Sequence, residues 1–320
     1  MRIAPGSSRS WSRIPALPPR DFPLHFIAQP NILKHMVFLI DGYNMVFRSY
    51  YGIRELTRSD GFPTNAIHGW VKTLLYLENR KDCDRMIVFF DRGADERTEL
   101  LPGYKENRKE TPKDLEVQIP IIKEITALMG LQIIEKDGVE ADDLIGAYAS
   151  RYATEESPVL IVSADKDLAQ CLSEHVSQLL PAPTANPRIG WRILKKEGVP
   201  EKFGVPSEKI AEYLALVGDT SDNIPGLPGV GPKTASKWLN EYGSLETIIE
   251  KANYIQPARF QTPIAQNAAL LRLNLRLTTL DLSHEVPQET SSAVNPEALR
   301  DRLLELEMVK TADEVGKRFA

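Results

Sequence analysis

The stretch Gly138-Val139-Glu140-Ala141-Asp142-Asp143-Leu144-Ile145 places three carboxylates within four positions at the mouth of an apolar run with helical spacing. Acids suit a helix N-terminus, whose partial positive charge favours them. Crowding them is another matter. Two like charges ~4 Å apart repel by about 4 kcal/mol at an effective dielectric of about 20. A fold that gathers several carboxylates generally neutralises them with divalent cations. What matters next is whether the chain delivers further acids to the same place.

It does so through a recurring unit. Val37-Phe38-Leu39-Ile40 is a short apolar run followed at once by Asp41. Met86-Ile87-Val88-Phe89-Phe90 is followed by Asp91, and Leu131-Gln132-Ile133-Ile134 by Glu140 after a short loop. Val159-Leu160-Ile161-Val162 leads to Ser163, Ala164, Asp165 and Asp167. Runs of this length suit strands buried on both faces, as in parallel sheets. Helical patterns over about 65–79, 113–129 and 141–153 lie between them. Strand alternating with helix predicts an α/β fold with a doubly wound, mainly parallel sheet. Ligands of such sheets bind beyond the carboxyl ends of the strands. One Asp after a strand is ordinary turn chemistry, but here all four runs deliver an acid to that edge.

Two further segments carry candidate chemistry. The connection 92–113 has no apolar core pattern. Over 97–113 it holds five basic residues (Arg97, Lys105, Arg108, Lys109, Lys113) against three acids. Long polar connections inside compact domains are usually functional or disordered. On a helix, Lys105 and Arg108 would share a face, with Tyr104 beside them to stack on a base. By itself the segment reads more readily as a solvated surface loop; starting directly after Asp91, it is expected to overhang the acids. Later, Gly218-Asp219-Thr220-Ser221-Asp222 adds two acids at i,i+3, able to face one way from a turn of helix. Gly229-Val230-Gly231 reads as a tight hairpin. The helix it opens begins at Pro232, and its first amides can hold a phosphate. Between Asn223 and Asn240 there is no acid, while Lys233 and Lys237 add positive charge. Helices are expected over 206–218, 232–241, Leu245–Ala252, Ile264–Arg276 and Pro296–Leu306.

Composition excludes several classes. No apolar run exceeds strand length, so no membrane span is expected. Cys83 and Cys171 lie in no metal-like spacing, which points to a reducing, cytoplasmic setting. A net charge of −5 looks unsuited to nucleic acid, but an acidic metal cluster can mask a local basic face. Residues 1–35 carry Arg2, Arg9, Arg13, Arg20 and Lys34 against Asp21 alone. A transit peptide can look like this; a disordered leader or a misassigned start, with Met36 as the true one, is the favoured reading.

Taken together, Leu39-Ile40-Asp41-Gly42-Tyr43, Gly61-Phe62-Pro63-Thr64-Asn65, Phe90-Asp91, Gly103-Tyr104-Lys105-x-x-Arg108, Glu140-Ala141-Asp142-Asp143, Asp165-Lys166-Asp167-Leu168 and Gly218-Asp219-x-Ser221-Asp222-Asn223-Ile224-Pro225-Gly226 stand in a familiar order. From about Met36 onward the chain resembles the 5′-3′ exonuclease (5′-nuclease) domain of bacterial DNA polymerase I. More distantly it is similar to phage and eukaryotic flap endonucleases. The resemblance implies a PIN-like nuclease domain over 36–205 with a helical arch at about 92–113. It implies a helical C-terminal subdomain over 206–320 with an appended helix-hairpin-helix at about 210–243. The polymerase's proofreading-like and polymerising domains are not expected. Two sites depart from the usual wording: Arg92-Gly93 stands where a Lys-bearing loop is commoner, and Ser163-Ala164-Asp165 replaces a Gly-Asp or Thr-Gly-Asp lead-in. Neither change removes a ligand.

The resemblance further implies metal binding by Asp41, Asp91, Glu140, Asp142, Asp143, Asp165, Asp167, Asp219 and Asp222. Oxygen-only ligands suit Mg²⁺, with Mn²⁺ able to substitute, and two ions would clamp a scissile phosphodiester. Asp41, Asp91 and Asp142, helped through water by Glu140, are assigned to one ion. Asp165, Asp167, Asp219 and Asp222 are assigned to the other. Lys105 and Arg108 would act on the scissile phosphate, and Tyr104 and Arg97 would hold the strand entering the arch. Gly229, Val230, Gly231, Lys233 and Thr234 would grip duplex backbone, by family analogy with K⁺. The expected function is a structure-specific, metal-dependent 5′-nuclease for DNA with 5′ ends, flaps or junctions, serving replication or repair alongside a separate DNA polymerase. Two alternatives stay open: a catalytically silent junction-binding module that recruits a polymerase or ligase, and a PIN-type ribonuclease.

Overall fold

Alternation along the strands decides the architecture. In β1 (Met36–Asp41), Val37 and Leu39 enter one apolar cluster while Phe38 and Ile40 enter another. The same split runs through β2 (Cys83–Phe89) and β4 (Val159–Val162). A strand apolar on both faces must be covered on both, and helices do this. Asn65–Glu78, Ile119–Leu128, Pro296–Glu305 and Val309–Arg318 pack on one face. Ala141–Tyr152 and the C-terminal helices around Trp238 pack on the other. The computed structural model describes residues 36–287 and 292–319. These form one compact unit; the leader expected over 1–35 lies outside the described residues.

The sheet has the order β3-β2-β1-β4-β5-β6, where β3 is Gln132–Ile134, β5 Val176–Leu180 and β6 Arg192–Leu194. All pairings are parallel except β5 with β6. The chain winds outward from β1 in both directions, so the crevice for ligands opens at the carboxyl ends of β1 and its neighbours. The doubly wound, mainly parallel sheet expected above is therefore present.

Details differ from expectation for local reasons. The helix expected over 113–129 is two, Lys113–Glu116 and Ile119–Leu128. Pro120 has no amide to bond back to the first helix and opens the second, while the buried Gln118 side chain between them accepts from the amides of Ala66 and Ile67 at 2.9 and 3.2 Å, capping the neighbouring helix. The helix expected over 264–276 is likewise split, at Asn267. The acids of 218–225 do not ride a helical turn. β7 (Gly218–Asp219) pairs antiparallel with β8 (Ile224–Pro225), and Asp219 and Asp222 lie in this hairpin. Gly218 makes the turn: its φ is +82°, and a Cβ there would stand 2.3 Å from the Gly226 nitrogen.

Candidate functional site

Strand register brings the first acids together. Ile40 of β1 pairs with Val162 of β4, which sets Asp41 beside Ser163. The Ser163 hydroxyl donates to Asp41 Oδ2 at 2.7 Å, and the Asn44 amide donates to Asp41 Oδ1 at 3.1 Å. Gly42 permits this corner, since a Cβ there would lie 2.5 Å from the Phe90 ring and 2.7 Å from the Phe89 carbonyl. Beyond β2 the chain stays bonded to the 138–139 loop, Arg92 N donating to Val139 O and Gly138 N to Arg92 O. That pairing docks Asp91 on the helix Ala141–Tyr152, where Asp91 Oδ1 accepts from the Ala141 amide at 3.1 Å. Glu140 is the N-cap residue of this helix, and Asp142 and Asp143 fill its first turn.

Two carboxylate sets result. Glu140, Asp142 and Asp143 each offer an oxygen, all within 4.8 Å of one another, and Asp167, Asp219 and Asp222 do the same. Asp165 belongs with the second set, its Oδ1 accepting from the Asp167 amide at 3.0 Å. The electrostatics are strained. Burial, then repulsion from Asp91, pushes the Asp41 carboxyl up to about 7. Burial also raises Asp91, and burial followed by Glu140 and Asp143 holds Asp142 well above the usual carboxylate range. Asp165 is raised by burial, and Asp167 is well raised by burial and then Asp165 and Asp219. Asp219 moves the other way: burial is outweighed by hydrogen bonds from Ser221 and Lys166, the latter at 3.0 Å.

These residues fit divalent cations. The donors are all oxygen, which suits hard cations. One is orphaned: Asp167 Oδ1 is buried and has no hydrogen-bond partner. Buried carboxylate oxygens without partners are costly, and a cation satisfies that requirement while removing the mutual repulsion.

The connection 92–113 lies on these acids rather than bridging open space. After a short helix, Asp95–Leu100, it turns repeatedly through 102–107. Lys105 is not helical; its φ is +58°. The Lys105 amide donates to the Asp222 carbonyl at 3.0 Å, Asn223 Nδ2 to the Gly103 carbonyl at 2.7 Å and Asn107 Nδ2 to the Thr220 carbonyl at 2.6 Å. The segment is thus docked on the 218–225 hairpin. Lys105 Nζ pairs with Glu140, and Arg108 Nη2 lies 2.5 Å from Asp222 Oδ1. Burial lowers the Lys105 pKa, but Glu140 and Asp222 more than reverse this.

Two residues expected to hold a strand are engaged elsewhere. Tyr104 is buried, with its hydroxyl 3.2 Å from Glu140 Oε2 and 3.3 Å from Asp222 Oδ2. Arg97 is buried too. Its guanidinium lies 2.6 Å from Glu140 and makes a two-pronged pair with Asp143 at 2.5 and 2.8 Å. It also donates to the Leu277 carbonyl at 2.9 Å. Asp143, expected as a ligand, has both oxygens occupied, since Oδ1 also accepts from the Asp281 amide at 2.8 Å. Gly229, Val230 and Gly231 form the expected turn, with Gly229 at φ +78° and Val230 N bonded to Leu227 O. Gly231 caps the helix Pro232–Tyr242, whose first turn carries exposed Lys233 and half-buried Thr234. Among the described residues, no hydrogen bond or ion pair joins 229–234 to the carboxylates. Sequence reasoning missed Lys166, which neutralises Asp219, and Asn44 and Gln178, which brace the 163–165 turn. The only signal for Gln178 was an amide among the apolar residues Val176, Leu179 and Leu180 of its strand.

Comparison with known proteins adds an independent line. Residues 36–204 match the family of the 5′-3′ exonuclease N-terminal resolvase-like domain, and residues 205–300 that of the 5′-3′ exonuclease C-terminal SAM fold. A 5′-3′ exonuclease of Aquifex aeolicus is 39% identical over 288 residues, spanning 88% of this chain and 96% of that protein. The thermostable DNA polymerase I of Thermus aquaticus is 37% identical over 286 residues, spanning 88% of this chain but 33% of the polymerase. The chain thus spans about a third of such polymerases. Among solved structures, T5 5′-exonuclease with bound zinc superposes with a TM-score of 0.62 at 22% identity, covering 89% of this chain and 98% of that one. The catalytic core of Rad2 in complex with DNA substrate gives 0.61 at 14% identity, covering 88% and 92%. At these identities the two structures speak for the shared fold.

Proposed function

The chain belongs to the 5′-3′ exonuclease family and is a nuclease, and from that premise we propose a structure-specific, metal-dependent 5′-nuclease that cuts DNA at 5′ ends, flaps or junctions. The observation that carries this is the gathering of carboxylates at the carboxyl edge of the sheet, where Asp167, Asp219 and Asp222 bring three oxygens inside 4.8 Å and Asp167 Oδ1 has no hydrogen-bond partner. Asp41, Asp91 and Asp142, with Glu140 acting through water, would hold one cation and Asp165, Asp167, Asp219 and Asp222 the other, Mg²⁺ by the hardness of the donors. Bound there, such cations supply an activated water and stabilise the leaving oxygen of the phosphodiester. Asp143 is better assigned to fixing Arg97, and through it Glu140, than to ligation.

Lys105 and Arg108 stand over Glu140 and Asp222, where their charge would offset that developing on phosphate oxygens. Tyr104, buried between the same two acids, would fix the loop that carries them. The Gly229–Gly231 turn, with the Lys233 amide and ammonium and the Thr234 hydroxyl, suits a DNA phosphate, with K⁺ as a further ligand of the turn. Phosphate contacts position the substrate without reading its sequence, so selectivity would be for shape. The division into a nuclease domain over 36–205 and a helical subdomain over 206–320 is part of the same proposal. So are a cytoplasmic setting and work beside a separate DNA polymerase. No helix among the described residues is long and apolar enough to cross a membrane. A silent junction-binding module is disfavoured by the orphaned Asp167 oxygen, which binding alone does not require.

The test is cleavage of a labelled 5′ flap with and without Mg²⁺, for the parent and Asp165→Asn. The variant should bind the flap and leave it uncut. Cleavage at the parent rate would overturn the assignment.

A further inference from the structure

The turn 163–165 joins the two carboxylate sets, and side chains pin its backbone on every side. The Ala164 amide donates to Asn44 Oδ1 at 3.0 Å and the Asp165 amide to Ser163 Oγ at 2.9 Å. Gln178 Nε2 donates to the Ser163 carbonyl at 3.1 Å and the Asp165 carbonyl at 2.6 Å, spanning the turn. The Ser163 hydroxyl gives its single proton to Asp41 at 2.7 Å. One oxygen atom therefore connects the carboxylate at the end of β1 with the backbone that carries Asp165, and Asp165 in turn holds the Asp167 amide at 3.0 Å.

Gln178 is an unexpected residue for its place. It sits in β5 opposite Ile161, with both its own side chain and Ser163 fully buried. Its Oε1 has no partner. An apolar residue would fill this position without a buried, unsatisfied acceptor. What the amide contributes, and an apolar residue would not, is the two-carbonyl clamp.

We propose that Ser163 and Gln178 are positioning residues that fix the placement of Asp165 and Asp167 relative to Asp41, and so govern divalent-cation affinity without touching cation or substrate. This rests on the reading of the carboxylates as cation holders. Groups that orient metal ligands typically matter by roughly ten- to a hundredfold in affinity or activity.

The experiment measures Mn²⁺ binding to the whole protein without DNA, by the electron paramagnetic resonance signal of free Mn²⁺, for the parent, Ser163→Ala, Gln178→Met and Leu179→Ala. The last removes core contacts from the same strand and reports plain destabilisation. Thermal unfolding in chelator and flap binding in chelator are followed in parallel. Ser163→Ala and Gln178→Met should each weaken Mn²⁺ binding by roughly tenfold or more, with flap binding unchanged. Leu179→Ala should lower the unfolding temperature and leave Mn²⁺ affinity alone. Parental Mn²⁺ affinity in both Ser163→Ala and Gln178→Met would overturn the proposal while leaving the carboxylate assignment standing; should Gln178→Met fail to fold, Ser163→Ala decides. Absence of Mn²⁺ binding by the parent would instead overturn the carboxylate assignment and this proposal with it.

Discussion

Replacing Arg97 by Ala separates two accounts of that residue. In the structure, its guanidinium is buried between Glu140 and Asp143 and bonded to the Leu277 carbonyl, which ties the helix Asp95–Leu100 to the helix Ala268–Thr278. Removing one partner of a buried ion pair leaves uncompensated charge and costs about 3–5 kcal/mol. Here Asp143 loses its cation while Glu140 keeps Lys105, so the range as a whole is expected. Folding stabilities are only about 5–15 kcal/mol, so the loss is a large fraction. At about 2.1 cal/mol/K of unfolding entropy per residue, a unit of this size shifts by about 1.7 °C per kcal/mol, so the unfolding temperature should fall by roughly 5–9 °C. The assay is thermal unfolding in chelator at pH 7, repeated with excess Mg²⁺. Mg²⁺ should narrow the gap, because a cation beside Glu140 and Asp142 replaces part of the lost positive charge. Arg272→Ala is the control. Its pair with Glu246 is fully exposed, and no measurable change is expected. If Arg97→Ala unfolded with the parent and lost only flap affinity, the residue would be a strand holder, as its place in a basic connection suggested, and the buried lock would be wrong.

Three further outcomes are expected. With Asp41 raised from 3.8 to about 7 by burial and by Asp91, the folded state holds a proton that the unfolded state has lost. Its stabilising contribution is complete below about pH 4 and disappears as pH rises through about 7. In chelator the parent should therefore lose stability across that window more steeply than Asp41→Asn, and saturating Mg²⁺ should abolish the difference; equal slopes in chelator would contradict it. Gly42→Ala, which forces a Cβ against the Phe90 ring and the Phe89 carbonyl, should cost about 1–3 kcal/mol and weaken Mn²⁺ binding, as read by urea unfolding and metal titration. Flap affinity should fall steeply with salt, and Lys233→Ala should reduce the log–log slope by about 1; a slope unchanged from the parent would remove Lys233 from the phosphate contacts.

The sheet was readable because it is a local matter. β1, β2 and β4 are apolar on both faces, and each is followed by an acid whose type is fixed by chemistry rather than packing. The helix Ala141–Tyr152 announced itself through its acidic first turn. What stayed hidden depends on partners far along the chain. Lys105 adopts a left-handed backbone because its amide meets the Asp222 carbonyl, more than a hundred residues away. Non-glycine residues enter that region at a cost of about 1–3 kcal/mol and only where surroundings enforce it, so no local pattern reports it. Arg97, Tyr104 and Asp143 carry the right residue types for DNA or metal, and only the folded chain shows Arg97 buried against Asp143 and Tyr104 buried between Glu140 and Asp222. Strand β5 is interrupted by Ser177 and Gln178, and β6 is a three-residue antiparallel edge with two exposed residues, which leaves little hydrophobic signal. The helix Val309–Arg318 buries Thr311, Ala312 and Val315, residues too small or polar to draw notice in sequence.

The central claim is that two sets of carboxylates share a pair of divalent cations, and anomalous diffraction from crystals soaked in Mn²⁺ tests it most directly. One peak is predicted among Asp41, Asp91 and Asp142 with Glu140 beyond its first ligands, and a second among Asp165, Asp167, Asp219 and Asp222. Peaks confined to other surfaces, with these side chains ordered and unliganded, would contradict the account.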